Sequence, residues 1–246
     1  MTHGRYEFKY SVTAEQRLKV LDAANEFLVA DPHGEAATYP VSSLYFDTAA
    51  REAYWSKLDG ERYRKKFRLR YYEADPVSET VSAAFMEIKH RIGNRIFKQR
   101  ARVADDGATA ILRGDCSISE LGDLLLETDE TSNQLLDQIL CNNGGGLEPA
   151  VVIAYQREAW MGRHDSRFRL TFDSACMAYA PGDYMKSTCG VGHRFLDADR
   201  LIMELKFDHA VPCWIRDIVQ KLEISMCRFS KYATGAEEQL LACEIA

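Results

Sequence analysis

The sequence predicts a mainly β (α+β) fold, an eight-stranded antiparallel barrel with flanking helices, as one domain over residues 1–246. Three observations carry that expectation. Eight segments alternate polar and apolar residues with period two, which marks strands with one packed and one wet face. Apart from the apolar stretch that opens Ala150–Trp160, they lack the continuous apolar runs that a parallel sheet covered on both faces would show. The helical stretches between them are few and not spaced as βαβ units, so antiparallel pairing closed on itself is the simplest topology.

In chain order, Arg5–Tyr10 alternates first. Thr13-Ala14-Glu15-Gln16 then reads as a capping box, opening a helix with Leu18, Leu21, Phe27 and Leu28 on its apolar face. Ser43–Asp47 (SLYFD), Lys66–Tyr72, Ala84–Arg91 and Phe97–Val103 are the next four strands, with turns at Asp75-Pro76 and Ile92-Gly93-Asn94. Ser117–Glu120 opens a helical segment, and Thr131–Leu140 is amphipathic and stops at Asn142-Asn143-Gly144-Gly145-Gly146. No Gly-Lys-Ser/Thr follows those glycines, so they read as a helix-to-strand loop and not as a phosphate cradle. Ala150–Trp160, Arg167–Asp173 and Leu201–Asp208 complete the eight strands, with a turn at Gly162–Asp165. Pro212–Leu222 is a last helix with proline in its first turn.

Composition narrows the function classes. Apolar residues make up 46% and charged residues 28% of 246 residues, as in an ordinary globular protein large enough to bury a core. Pro149–Tyr155 is among the longest apolar runs and is far too short to cross a bilayer. The segment MTHGRYEFKY lacks the apolar core of a secretory signal, so the expected location is cytoplasmic, and any membrane role would need a partner protein. Seven scattered cysteines without a CxxC pair read as reduced thiols, and six histidines show no zinc-type spacing. A net charge of −6 argues against a general nucleic-acid binder.

The charges are not spread evenly. The polar phase of the strands holds fourteen cations (Arg5, Lys9, Lys66, Arg68, Arg70, Lys89, Arg91, Lys98, Arg100, Arg102, Arg157, Arg167, Arg169, Lys206) and five acids (Glu7, Glu87, Asp173, Glu204, Asp208). That phase carries +9 while the rest of the chain carries −15. A solvated outer face usually mixes both signs. In a barrel the strongly apolar opposite phase could instead face outward under helices, leaving the cations in a wet, anion-holding lumen. Alternation alone admits both geometries.

An ordered set of motifs adds a resemblance: FKY (8–10), SLYFDT (43–48), RLRYY (68–72), MEIKHR (86–91), KQRAR (98–102), AYQREAW (154–160), RFRLTFD (167–173), IMELKFD (202–208) and RFSKYATG (228–235). From about residue 5 to 236 the chain resembles the VTC domain, the polyphosphate-polymerase domain of the vacuolar transporter chaperone complex, within the triphosphate tunnel metalloenzymes. The resemblance implies a tunnel barrel that extends inorganic polyphosphate from ATP with a divalent metal, Mn²⁺ preferred and Mg²⁺ possible. It implies phosphate-binding and catalytic cations at Lys9, Arg68, Arg70, Lys89, Lys98, Arg157, Arg169 and Lys231, with Arg100 and Lys206 as further phosphate contacts. Arg100 or Arg102 could replace Lys98 as the ligand of their strand. It puts the metal on Glu204, with Glu87 as a second acid. The wider superfamily carries ExExK on its first strand. Here that strand reads Arg5-Tyr6-Glu7-Phe8-Lys9, which removes one expected metal ligand, leans towards the polymerase branch and leaves Glu7 without a role. Lys66, outside the motif, is expected at the tunnel mouth. Tyr71, Tyr72 and Tyr155 are expected to pack and not to stack on a base.

Overall fold

The computed structural model describes residues 4–33, 36–127, 129–143, 146–189 and 192–245. All eight expected strands are present and most run longer than the sequence pattern: β1 (Arg5–Thr13), β2 (Thr38–Thr48), β3 (Tyr63–Tyr71), β4 (Phe85–Ile92), β5 (Arg95–Arg102), β6 (Leu147–Gly162), β7 (Arg169–Tyr179) and β8 (Arg200–Phe207). The principal helices are α1 (Ala14–Ala24), α2 (Glu52–Leu58), α3 (Asp105–Arg113), α4 (Glu130–Asn143), α5 (Cys213–Lys221) and α6 (Lys231–Ile245). Of these, α2, α3 and α6 went unpredicted.

The strands pair antiparallel in the ring β1–β5–β4–β3–β2–β6–β7–β8–β1, which closes the barrel. Closure removes the exposed edges that an open sheet would offer to other chains. The closing seam is short: β1 meets β5 only through Arg5↔Ile96 and Tyr6↔Arg95, whereas β1 follows β8 for eight pairs from Tyr6↔Phe207 to Thr13↔Arg200.

Two apolar cores lie outside the ring. One collects Leu44, Phe46, Phe67, Leu69, Met86 and Ile88 under α3 and α4; the other collects Tyr10, Val12, Phe168, Phe172, Met203 and Leu205 under α1 and α5. The apolar phase therefore points outward to helices and the charged phase inward, which settles the ambiguity left by alternation. A third core lies inside. Val41, Tyr45, Val151, Ile153 and Cys176 share the inward phase of β2, β6 and β7, and α6 packs into them with Tyr232, Ala233 and Ala236. At Gly235 a Cβ would collide with the Ile153 side chain, so glycine is what lets this helix approach the wall.

Local details refine the expectations. Thr13 and Gln16 form the reciprocal capping box, but α1 ends at Ala24 and buries Val20 and Ala24 while Leu18 is 59% exposed. Phe27 and Leu28 lie beyond the helix, Leu28 in a short strand Leu28–Ala30 on β6. Ser117 and Glu120 do form a capping box, but the segment it opens, Ile118–Leu124, is a 3₁₀ helix. Pro212 is the N-cap of α5 and not a helical residue. Of the glycine run, Gly144 and Gly145 lie outside the described residues; Gly146, at φ 66°, leads into β6. Cys116, Cys141, Cys176, Cys213 and Cys227 are free thiols.

Candidate functional site

Inward side chains from every strand bound a lumen of about 580 Å³. Fifteen cations line it against three carboxylates, Glu7, Glu204 and Asp208. Eleven of the twelve residues expected at the site are among them; Glu87 sits just behind the wall, fully buried. Of the fourteen cations on the polar phase only Arg102 and Arg167 fall outside the lining.

The cations are held in place by buried acids at three points. Glu204 lies between Lys9 (2.6 Å), Lys231 (3.0 Å), Lys206 (3.2 Å) and Arg157 (3.5 Å). Behind it, Arg157 makes a forked bond to Asp173, both N–H···O distances 2.7 Å, and Lys231 reaches the same carboxylate at 2.5 Å. Burial alone would raise the Glu204 carboxyl, but Lys231, Lys9, Lys206 and Arg157 outweigh it and hold it well below the usual carboxylate range. For Lys231 and Lys9, burial opposes the charge and the neighbouring acids override it, so both stay firmly protonated.

Across the lumen, Glu87 accepts from Arg68 Nη2 at 2.6 Å and from Lys98 at 2.5 Å, with Arg100 at 3.6 Å and Arg70 at 3.9 Å. The third point joins Arg169 to Asp31 at 2.6 Å. Not every cation is fully compensated. Burial pushes Lys98 down to about 7 despite Glu87, with Arg70 and Arg68 adding to the effect. Burial likewise pushes Lys206 down to about 8, against the pull of Glu204 and Glu7.

Tyrosine hydroxyls complete the arginine positions. Tyr45 accepts from Arg68 (2.9 Å), Tyr155 from Arg70 (3.1 Å) and Tyr39 from Arg169 (2.8 Å). Each acceptor fixes one edge of a planar guanidinium; Arg68 and Arg169 also pair with Glu87 and Asp31, and Arg70 also donates to Ser43. Sequence reasoning missed Tyr39 and Tyr45 and assigned Tyr155 to packing. The available signal was phase, because Tyr39, Val41, Ser43, Tyr45 and Asp47 alternate on β2. Lys57 and Arg64 were also missed: Lys57 comes from an unpredicted helix, and Arg64 from a strand that starts three residues earlier than its pattern suggested.

The motif resemblance implies a divalent metal ion. Among the described residues no three His, Cys, Asp or Glu side chains gather as a metal cage. Glu7 and Glu204 on paired strands do share Lys9 and Lys206: Glu7 lies 3.6 and 3.8 Å from the two lysines, Glu204 2.6 and 3.2 Å. One or two carboxylates completed by phosphate oxygens and water is the donor set that Mg²⁺ uses in phosphoryl-transfer sites. The residues thus fit a metal that arrives with phosphates, on Glu204 with Glu7 beside it. Glu87, the other expected metal ligand, pairs with a different set of cations and is not part of that couple. Arg5, where the superfamily motif has its first glutamate, pairs with Asp208 at 3.1 Å.

A closed antiparallel barrel whose interior is a cationic, acid-braced lumen defines a triphosphate tunnel protein. Its fold is similar to that of a Bacillus halodurans protein provisionally assigned as an adenylate cyclase, with a TM-score of 0.52 at 12% identity, covering 92% of this chain and 95% of that one. A Hippeastrum protein described as an adenylyl cyclase candidate with a dominant triphosphatase activity is also similar, with a TM-score of 0.49 at 15% identity and 96% of both chains covered. No curated protein matches the sequence. Within the class the chain belongs to the VTC domain family, whose model matches residues 4–239. No helix among the described residues is long and apolar enough to cross a membrane.

Proposed function

We propose that this protein is an ATP-dependent polyphosphate polymerase, transferring the γ-phosphate of ATP to the end of a growing inorganic polyphosphate chain. The observation that carries the reading is the lumen: fifteen cations from seven of the eight strands and two helices converge on one space without a glycine-rich loop or a catalytic base. Phosphoryl transfer needs aligned phosphates and neutralised charge more than covalent help. Arg68, Arg70, Arg157 and Arg169 present forks whose orientation is already set by tyrosines or acids, and Lys9, Lys89, Lys98, Lys206 and Lys231 add point charges.

In the reaction, an oxygen of the chain's terminal phosphate attacks the γ-phosphorus in line. The bond from that phosphorus to the β–γ bridging oxygen breaks, and ADP leaves with the oxygen. A phosphate nucleophile is already ionised, so no general base is required. A bound Mn²⁺ or Mg²⁺ on Glu204 supplies Lewis-acid polarisation of the phosphate oxygens. Phosphates entering the site take over cations that Glu204, Asp173 and Glu87 hold in the free protein, so the acids act as exchangeable counter-ions. The VTC family membership supports transfer over hydrolysis, as does Arg5, whose cation replaces one acid of the superfamily motif.

Glu7 favours a second reading. Retained beside Glu204, it makes a two-acid metal site suited to activating water, as in a triphosphatase. Incubation with ATP and Mn²⁺ separates the readings. Long chains digestible by an exopolyphosphatase support the polymerase; orthophosphate as the sole product would sink it in favour of hydrolysis. Tight tripolyphosphate binding without turnover would reduce the domain to a polyphosphate-binding module.

A further inference from the structure

The cations of the lumen are not equally provided with acids. On β3, β4 and β5 the inward residues form cross-strand rows. The first row, Arg68–Glu87–Arg100, contains its own carboxylate. The second, Lys66–Lys89–Lys98, is all lysine, though Lys89 reaches Glu7 across the lumen at 2.9 Å and Lys98 reaches Glu87. The third sets Arg64 directly opposite Arg91. Successive rows lie two residues apart, about 6.6 Å. Like charges directly opposite destabilise a sheet.

Two more cations approach the third row from outside the barrel: Lys57 in the last turn of α2, and Arg228, whose chain neighbour Phe229 lines the lumen. The charges of Arg64, Arg91 and Arg228 bear on Lys57, whose charged form burial already disfavours; at Arg64, burial with the charges of Arg91 and Arg228 outweighs the opposing charge of Glu61. Among the described residues none of these four cations forms an ion pair. Lys57, Arg64 and Arg91 line the lumen, so the cluster forms one rim of it, between the barrel wall and α6. The opposite rim is built differently: Tyr39, Tyr72 and Phe85 cluster there, Arg169 is paired with Asp31, and the Arg100 guanidinium stacks over Phe85 at 3.3 Å.

We propose that Lys57, Arg64, Arg91 and Arg228 hold the stretch of an inorganic polyphosphate chain lying beyond the reacting phosphates, and so set the preference for long chains over short ones. Repulsion that Glu61 offsets only in part at Arg64 in the free protein is relieved further by a ligand that brings negative charge to this rim. The acid-braced centre already accommodates a triphosphate; the rim adds affinity only for a ligand long enough to reach it. A regular polyanion brings charge at every repeat with no base to accommodate, whereas a nucleic acid would also have to place its bases beside Phe229, which is already stacked on Phe195. The inference rests on the polyphosphate reading of the lumen, but its test does not depend on turnover.

The experiment measures binding of tripolyphosphate and of a polyphosphate several tens of phosphates long at low salt. Wild type is compared with the pairs Arg64→Gln/Arg91→Gln and Lys57→Gln/Arg228→Gln. Each pair should lose about tenfold or more in affinity for the long chain and less than about twofold for tripolyphosphate, with a shallower salt dependence for the long chain. Equal losses for both lengths, or none, would overturn the proposal. So would a single-stranded oligonucleotide binding wild type as tightly as the long chain does. Because neutralisation removes repulsion, the ligand-free melting temperature should hold or rise; a fall in both pairs would show that these cations do not repel one another. Arg70→Ala serves as the separate control: if it left tripolyphosphate binding unchanged, the reading of the lumen itself would fail.

Discussion

Binding of a polyanion to the free protein at pH 8 should draw about 1.4 protons from solution. Lys98 and Lys206 are pushed down to about 7 and about 8, chiefly by burial. At pH 8 they lack about 0.9 and about 0.5 of a proton respectively, and at pH 6 together only about 0.1. A phosphate chain beside both favours their charged forms and restores them. The sign follows: a lysine depressed in the free protein binds anions as its protonated form, so affinity falls as pH rises through 7 to 8. Isothermal titration of tripolyphosphate in buffers of different ionisation enthalpy reads the proton number at each pH. The ligand titrates too, so the decisive quantity is the difference between wild type and the Lys98→Gln/Lys206→Gln variant. Wild type should take up about 1.4 protons more than the variant at pH 8, and only about 0.1 more at pH 6. An equal uptake by both proteins at pH 8, or an excess that shrinks as pH rises, would refute the reasoning.

Other expectations follow from the same contacts. Glu204→Gln leaves Lys9, Lys206, Lys231 and Arg157 short of a carboxylate, and should destabilise the free protein by about 3–5 kcal/mol in urea unfolding. Tripolyphosphate at a hundredfold excess over Kd should return about 2.7 kcal/mol. Glu7, Glu87, Asp173 and Glu204 all have carboxyls held below their ordinary range. Their stabilisation is therefore complete above about pH 4.5 and lost as pH falls, so the urea midpoint should drop between about pH 5 and 3. Gly235→Ala drives a methyl into Ile153 and should destabilise by about 1–3 kcal/mol, a melting shift that a helix lying outside the barrel would not show. Arg70→Ala should weaken tripolyphosphate binding about tenfold or more in the same calorimeter, because a charged, pre-oriented fork is lost.

What the sequence determined by itself was local. Period-two alternation identified all eight strands, because facing two environments is a property of neighbouring residues, and it collected twelve of the lumen's fifteen cations on one phase. The capping boxes at Thr13 and Ser117 were legible for the same reason. Lys231 was reached only through the motif resemblance. Tertiary structure decided the rest. Whether the charged phase faced water or a lumen depended on ring closure through a two-pair seam between β1 and β5, separated by ninety residues of chain. The partners of each cation depended on strand register: Glu87 serves Arg68 across one strand pair and Lys98 across another, while Glu204 gathers lysines from β1, β8 and α6. The helix that fills one side of the barrel shows little amphipathic patterning, since its contacts are the barrel's inner wall on one side and lumen cations at its start. Charge placement along a strand is written in the chain; charge compensation is a relation between strands, and only folding brings those strands together.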